Sequence, residues 1–470
     1  MSSRRTFGTA AAIAALVLSA CNSGAPVTSA PATQAAAPPS TGAASQSASQ
    51  PATTPPSGKV TVLLVGFPDD DTVDATTGHK IPGIGHLKDA FTAANPTIDL
   101  QLINIPWGSG ATAYTAKTES MVQNNEACVY LMPGAFDFGR AGKLEDLQPY
   151  VDADPTIKDA FAGKSLEAYA GWGPDKPNNL WGIPHSGGNR VVHWDQKLFE
   201  QWGVEPLSVH PTLDEIKTKA IKMTGKNPVT GQQNYGYWYQ GKYINWQFQV
   251  IAHAMNANWG KVNDDGSWTI HWDTPEYLSA LQWLVDMSKY APPGALAADA
   301  MPPGFLTDQN VVAIIPEGEQ GYYLPAFLGD PNLAKRFRTS YDIEGADGLG
   351  GLFSANPVSM VKSCDNKPAA WAAMKWLATS KESQRYNFEQ GNLPVVKGGD
   401  AIVPEIAAWP DADPILNQNS FAEPRYPWAT SDPRWSLQSA IEAALAGTLT
   451  PKQALEQAQK ETDDWIAKQK

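Results

Sequence analysis

One stretch, residues 180–204, limits what the chain can become. It reads LWGIPHSGGNRVVHWDQKLFEQWGV. A tryptophan-bearing approach, Trp181-Gly182-Ile183-Pro184, passes through Gly187 and Gly188 into an apolar run from Val191 to Trp194, then into an amphipathic helix start at 195–201. Two adjacent glycines leave φ almost unrestricted, so this order describes a backbone crossing between two packed units at a bendable point. A chain of 470 residues needs more than one unit in any case, because single hydrophobic cores usually stop growing at about 250–300 residues. The net charge of −13 argues against a partner that carries phosphates, nucleic acid above all. Charged residues are sparse while Pro, Gly and Trp are plentiful, a balance that suits an extracellular, loop-rich surface.

Residues 1–20 combine a basic start with an apolar run at 10–18 that is too short to cross a bilayer as a stable helix, which is the pattern of a signal peptide. Leu18-Ser19-Ala20-Cys21 resembles a bacterial lipobox, in which the Cys21 thiol receives diacylglycerol, and Ser3-Arg4-Arg5-Thr6-Phe7 resembles a twin-arginine export signal. Residues 21–58 are almost entirely small and polar after Cys21, with no aromatic residue and no periodicity, so they cannot bury enough surface to fold. They read as a lipid-anchored tether reaching roughly 30 Å as a coil and about 110 Å when extended.

The folded part opens with a β-branched apolar run at 59–65, a buried parallel strand that ends at Gly66-Phe67-Pro68-Asp69-Asp70-Asp71. Ligands of open α/β sheets gather outside the carboxyl ends of the strands, which makes this loop a first wall, with Phe67 and Asp70 as candidate contacts. Ile84, Leu87, Phe91 and Ala94 repeat at helical spacing and Asn95-Pro96 stops them; a strand at 98–105 follows and ends in Pro106-Trp107. A helix at 114–123 and a third strand at 127–131 lead to a loop carrying Phe136. Beyond the crossing, Thr212 and Glu215 have capping-box spacing. The densest aromatic region then holds Tyr235, Tyr237, Trp238, Tyr239, Tyr243, Trp246, Phe248 and Trp259. Pyranose rings expose C–H faces that lie flat on indole or phenol rings, and their hydroxyls need flanking polar partners; this region supplies both. Taken singly, each ring reads as core. Farther on, Thr274-Pro275 starts a helix, Glu317, Glu319 and Gln320 follow a strand at 311–315, Arg425-Tyr426-Pro427-Trp428 offers a basic fork beside a stacking face, and Trp435 opens an apolar helix face closed by Gly447. Thr450 and Gln453 box the last helix.

Several of these stretches, in this order, resemble the family 1 extracellular solute-binding proteins, which deliver sugars to ATP-driven importers. Pro184, Leu198, Phe199 and Gly203 fall on that family's crossing pattern, with Asp195 in place of the usual asparagine. FTAANPTIDLQLINIPW, Gly142-Lys143-Leu144-Glu145-Asp146-Leu147, Thr212-Leu213-Asp214-Glu215, PAAWAAMKWLAT and Gly391-Asn392-Leu393-Pro394 match further steps. Glu126-Ala127-Cys128 departs from the pattern, and Gln320 stands where a tryptophan is usual.

The resemblance implies an α/β, periplasmic-binding-protein-like fold with two α/β lobes joined by a multi-segment hinge. Residues 59–185 plus 356–400 would form lobe one, 190–350 plus 404–470 lobe two, and 186–189, 351–355 and 401–403 the hinge crossings. The ligand-binding set expected from this reading is Phe67, Asp70, Trp107, Phe136, His185, Tyr239, Trp246, Glu317, Phe353, Arg425, Trp428 and Trp435. Cys128 and Cys364 fall in the same lobe by this division and, with Cys21 lipidated, are the only cysteines left to pair; whether they do stays open. The implied protein is an exported monomer, anchored by lipid to the outer face of the bacterial cytoplasmic membrane. Its partners are a carbohydrate and ABC permease subunits, with no cofactor, no metal and no catalytic residue.

Two other readings compete. A surface-anchored glycosidase would need two carboxyl groups about 5–9.5 Å apart. Asp69, Asp70, Glu317 and Glu319 could supply them, but none sits in an acid/base motif, and His185, His193, His210 and His253 show no metal-ligand spacing. The same fold could instead bind a peptide, polyamine or anion; abundant aromatic rings without a clustered basic pocket favour sugar.

Overall fold

The computed structural model describes residues 55–468 apart from 107–110, 132–137, 140, 162–178, 264, 266, 299–300, 319, 418–420 and 423–432, with backbone alone at 111–115, 189, 317–318, 320, 353–355 and 421–422. The chain starts with β1 (Gly58–Val65), a small hairpin of β2 (Thr72–Val73) and β3 (Lys80–Ile81), and the helix Ile84–Ala94. β4 (Ile98–Ile105), the helix Ala111–Gln123 and β5 (Val129–Leu131) follow. Next come β6 (Ile183–Asn189) and β7 (Val191–Asp195), separated by Arg190 alone. β8 (Gly225–Lys226), β9 (Gln233–Tyr237), a second hairpin of β10 (Gly260–Val262) and β11 (Trp268–Ile270), β12 (Val312–Gly318) and β13 (Phe337–Ser340) continue it. β14 (Leu352–Met360) and β15 (Phe421–Ala422) complete the strands among the described residues.

Two main sheets result. The first runs β15-β14-β5-β1-β4, with β6 on the other side of β14; the second runs β13-β7-β12-β9-β8. β1 lies parallel to β4 and β5, as a β-helix-β order requires, and its Val62, Leu63 and Leu64 are buried on both faces. The helix Ile84–Ala94 places Leu87 and Phe91 inward, four residues apart, and Phe91 meets Trp376 edge-on at 5.3 Å. Trp376 belongs to the helix Lys367–Thr379, which Asn366 caps and which buries Ala369, Ala370, Ala373, Met374 and Leu377. The second sheet has its own core, built on Phe199, Ile216, Tyr237, Phe248, Trp272, Leu281, Ile314 and Ile441. Each fully buried side chain of this kind contributes about 1.5–3 kcal/mol. A third apolar cluster mixes residues that follow β12, such as Tyr323, Leu324 and Phe327, with Phe388, Leu393, Val403 and Ile406.

Several sequence expectations meet their physical outcome here. Gly187 and Gly188 are not a loop; they lie inside β6, opposite Ala355 and Ser354, because pairing with β14 satisfies their backbone groups. Arg190 alone joins this strand to β7 of the second sheet. Thr212 caps its helix by accepting from the Glu215 amide at 3.1 Å, but Glu215 does not return the bond. Its carboxylate is drawn to the Ser208 amide at 2.9 Å and to Lys219 at 2.6 Å. The final helix, Pro451–Lys468, does carry both halves of the box, between Thr450 and Gln453. Cys128 and Cys364 are joined by a disulfide that ties the start of β5 to the turn after β14.

Candidate functional site

Strand register locates the site. The first sheet's parallel strands end at Val65, Ile105 and Leu131, and Val358 of β14 pairs with both Leu131 and Ile183. Everything beyond that level, Pro184–Asn189 on β6 with residues 353–357 on β14, is a two-stranded ribbon that runs past the carboxyl edge of the sheet. At its far end β7 begins, with Val191 opposite Gly318, the last residue of β12, which is itself parallel to β9. The ribbon therefore links the carboxyl edges of the parallel strands of both sheets, where α/β proteins place their ligands, and it is the floor of the candidate groove.

From the first sheet, Phe67 follows β1 and stacks on Tyr386, ring centroids 6.0 Å apart and planes 18° from parallel. Its carbonyl oxygen accepts from Asn104 Nδ2 at 2.8 Å, which fixes the loop. Within the acidic run, Asp69 also accepts from Asn104, and Asp71 accepts from the Gly83 amide at 2.9 Å and pairs with His86 at 2.8 Å. The Gly83 amide holds the Asp71 carboxyl below the usual carboxylate range. Asp70, between them, is exposed. These bonds give the run's two outer members structural work and leave the middle one to solvent.

On the ribbon, His185 is fully buried. Asn387 Nδ2 donates to its Nε2 at 3.2 Å, while Nδ1 meets no partner among the described residues. Burial pushes its pKa down to about 3, so the ring is neutral. From the second sheet, Tyr239 is 7% exposed and burial raises its phenol pKa. Trp246 is half-buried at the start of the helix Ile244–Ala254, with Tyr243 stacked beside it at 5.5 Å. The Arg190 guanidinium lies 5.2 Å above the Trp246 ring, a cation–π distance. Trp435 has the Arg434 guanidinium 4.7 Å from its own ring. Phe353 pairs through its backbone with Asn189 and Ala422, and Glu317 lies in β12; their side chains are outside the description. Trp107, Phe136, Arg425 and Trp428 lie outside the described residues, as does Cys21.

Arg190, buried and in contact with Trp246, is a candidate that sequence reading passed over. It sits on the crossing between the Gly-Gly pair and the apolar strand, a place where only the backbone had drawn attention. Behind it lies Asp342, fully buried, whose carboxyl is pushed up to about 7 by burial, against the opposing pull of the Ile343 amide and of Arg190. A Cβ added at Gly351, where the chain returns to the first sheet with φ +69°, would meet the Arg190 carbonyl oxygen at 2.9 Å and Asp342 Cβ at 3.0 Å. Arg190, Asp342 and Gly351 thus form one tight packing unit under both crossings.

Chemically, this arrangement offers aromatic faces, a guanidinium and hydrogen-bonding groups around a floor of extended backbone. That suits holding a polar ligand with C–H faces. No group of three or more His, Cys, Asp or Glu is placed to hold a metal ion among the described residues, and no helix there is long and apolar enough to cross a membrane.

Comparison with known proteins points the same way. Residues 84–384 match the family model described as bacterial extracellular solute-binding protein. A binding protein of Brucella abortus (strain 2308) is 24% identical over 330 residues, which is 67% of this chain and 73% of that protein. Among solved structures, the sugar-binding protein MalE of Xanthomonas citri superposes with a TM-score of 0.68 at 18% identity, covering 88% of this chain and 98% of that one. An ABC substrate-binding protein of Listeria monocytogenes, solved with cycloalternan, gives 0.67 at 19%, covering 87% and 99%. Maltose-bound MalE3 of T. maritima gives 0.66 at 17%, again covering 87% and 99%. At these identities the structural likeness speaks for the fold.

Proposed function

The chain belongs to the bacterial extracellular solute-binding proteins, and on that premise we propose that it captures a sugar or oligosaccharide between two lobes and hands it, unchanged, to the permease of an ABC importer. The observation that carries the reading is the meeting of half-buried Trp246 with Arg190 at the end of the ribbon. A half-buried indole, its ring held under the buried Arg190 guanidinium, can stack a pyranose on the part it leaves exposed. The solved relatives are described with maltose and cycloalternan bound, which supports the same ligand class. The lobes would be 59–185 plus 356–400 and 190–350 plus 404–470, pivoting at 186–189, 351–355 and 401–403. Closure then converts ligand contact into a shape that the permease recognises, and affinity reports the free energy of that closure.

The test is a thermal-shift panel of mono- and oligosaccharides beside peptides, polyamines and anions. A ligand that binds only the folded state at 100 times its dissociation constant adds about 2.7 kcal/mol of stability. Carbohydrates alone should raise the melting temperature, with no new reducing ends after prolonged incubation; steady release of product would favour the glycosidase reading. Export and anchoring follow from the leader, with Cys21 as the lipidated residue and the stretch between it and β1 as the tether, which is shorter than 22–58 because Gly58 already pairs with Ile98 in the sheet. Cys21→Ser should move the protein from the membrane fraction to the medium or periplasm, and unchanged fractionation would remove the anchor from the account.

A further inference from the structure

The hairpin of β2 and β3 has no part in either sheet's core, yet it touches the other half of the protein. It leaves the carboxyl edge of the first sheet after β1 and is held at its base by Asp71, which accepts from the Gly83 amide. Asp74 shapes its tip, accepting from the Thr77 amide and hydroxyl, each at 2.8 Å. The far side of the tip presses on the helix Leu324–Gly329, which follows β12 on the second sheet. A Cβ added at Gly329 would lie 2.2 Å from Thr77 Oγ1, 2.7 Å from Thr77 Cβ and 2.9 Å from His79 Cβ. Only a glycine can end the helix there with the hairpin in place.

Further contacts lead from there down to the ribbon. Gln390 Nε2, just past the helix Lys381–Glu389, donates to the Pro82 carbonyl oxygen at 2.6 Å. Gly391, at φ +87°, comes so close to Gly321 that an added Cβ would lie 2.6 Å from its Cα. Leu393 exchanges backbone hydrogen bonds with Gly187 on the ribbon, at 2.7 and 3.3 Å. Asn387 donates to the His185 carbonyl oxygen at 3.1 Å. From ribbon to hairpin tip there is thus a series of close contacts, contributed by both halves.

We infer that the hairpin Thr72–Ile81 is a specificity element: with the turn at Gln390–Leu393 and the helix Leu324–Gly329 it walls off one end of the groove, so that a bound oligosaccharide terminates there and cannot run through. The inference rests on the carbohydrate reading of the groove. The ligand class it selects is a chain end, because a sugar unit extended past the wall would collide with the Thr77 and His79 side chains packed on Gly329 and with the close-set backbones of Gly391 and Gly321.

Maltotriose, isomaltotriose and cellotriose serve as probes, each unmodified, with a 2-aminobenzamide tag at the reducing end, or with a bulky benzylidene group at the non-reducing end. Isothermal titration is run on the wild type, on a variant with Val73–Lys80 replaced by Gly-Gly, and on T77A/H79A, which keeps the hairpin backbone should the shortened variant not fold; circular dichroism melting reports folding. For a trisaccharide that binds, one terminal group should lower wild-type affinity by on the order of 100-fold, and opening the hairpin should recover at least a tenth of the unmodified affinity. Tolerance of both terminal groups by the wild type, or a penalty that neither hairpin variant relieves, overturns the wall. Failure of every carbohydrate in the wider panel overturns the carbohydrate reading itself, and the wall as a sugar-selecting element with it.

Discussion

Asp342→Asn should change how stability depends on pH, and the structure sets the size of the effect. Asp342 follows β13, is fully buried, and has its Oδ1 satisfied by the Ile343 amide at 2.8 Å. Burial raises its folded pKa from 3.8 to about 7. The folded state therefore keeps a proton that the unfolded state has lost, and the contribution to stability is fully present below about pH 4 and disappears as pH rises through 7. Each pKa unit corresponds to ~1.4 kcal/mol, so this one group removes up to about 4 kcal/mol between those limits. Asparagine resembles the protonated acid in shape and cannot ionise. The variant should consequently gain on the wild type by up to about 4 kcal/mol on going from pH 4 to pH 8. Other carboxylates, Asp154 and Glu215 among them, have lowered pKa values and slope the opposite way, but they are common to both proteins and cancel in the difference. Urea unfolding of both proteins at pH 4.5, 6 and 8 measures it. A gap of the same size at all three pH values would refute the buried, proton-holding state of Asp342 and, with it, the tight unit beneath the two crossings.

Other outcomes follow from the same structure. Cys128→Ser with Cys364→Ser opens a loop of 236 residues and should cost about 2–5 kcal/mol, read from guanidinium midpoints, while a midpoint equal to that of the oxidised wild type would contradict it. Asp195→Ala removes a 1%-exposed carboxylate from its bidentate contact with Arg336, at 2.8 and 3.1 Å, and should cost roughly 3–5 kcal/mol. A loss below about 1 kcal/mol would place that pair with ordinary surface ion pairs. Trp246→Ala should weaken binding of the best panel sugar roughly 10- to 100-fold with a smaller effect on melting temperature; unchanged titration isotherms would remove Trp246 from the groove.

The first half of the fold was legible because its signals are local. The strand at 98–105 and the helix stopped by Asn95-Pro96 occur where periodicity and proline place them. The hinge was harder to read. Gly187 and Gly188 read as an unpaired link, yet they pair with β14, and this partner lies about 170 residues away in sequence. The aromatic region also divided in a way that sequence spacing could not reveal. Tyr237, Trp238 and Phe248 went into the core, while Tyr243 and Trp246, a few residues away, remain only partly buried. Arg190 and Asp342 escaped notice because their meeting depends on the chain's two crossings lying side by side. The wall built on Gly329 and Gly391 likewise depends on contacts between distant segments, and no motif encodes it.

Small-angle X-ray scattering during titration with the best panel sugar tests the central claim most directly. Two lobes that shut on a carbohydrate predict a radius of gyration that falls with occupancy, saturates with the binding isotherm and recovers when the sugar is dialysed out intact. A radius that stays constant while calorimetry reports full occupancy would contradict closure around the ligand.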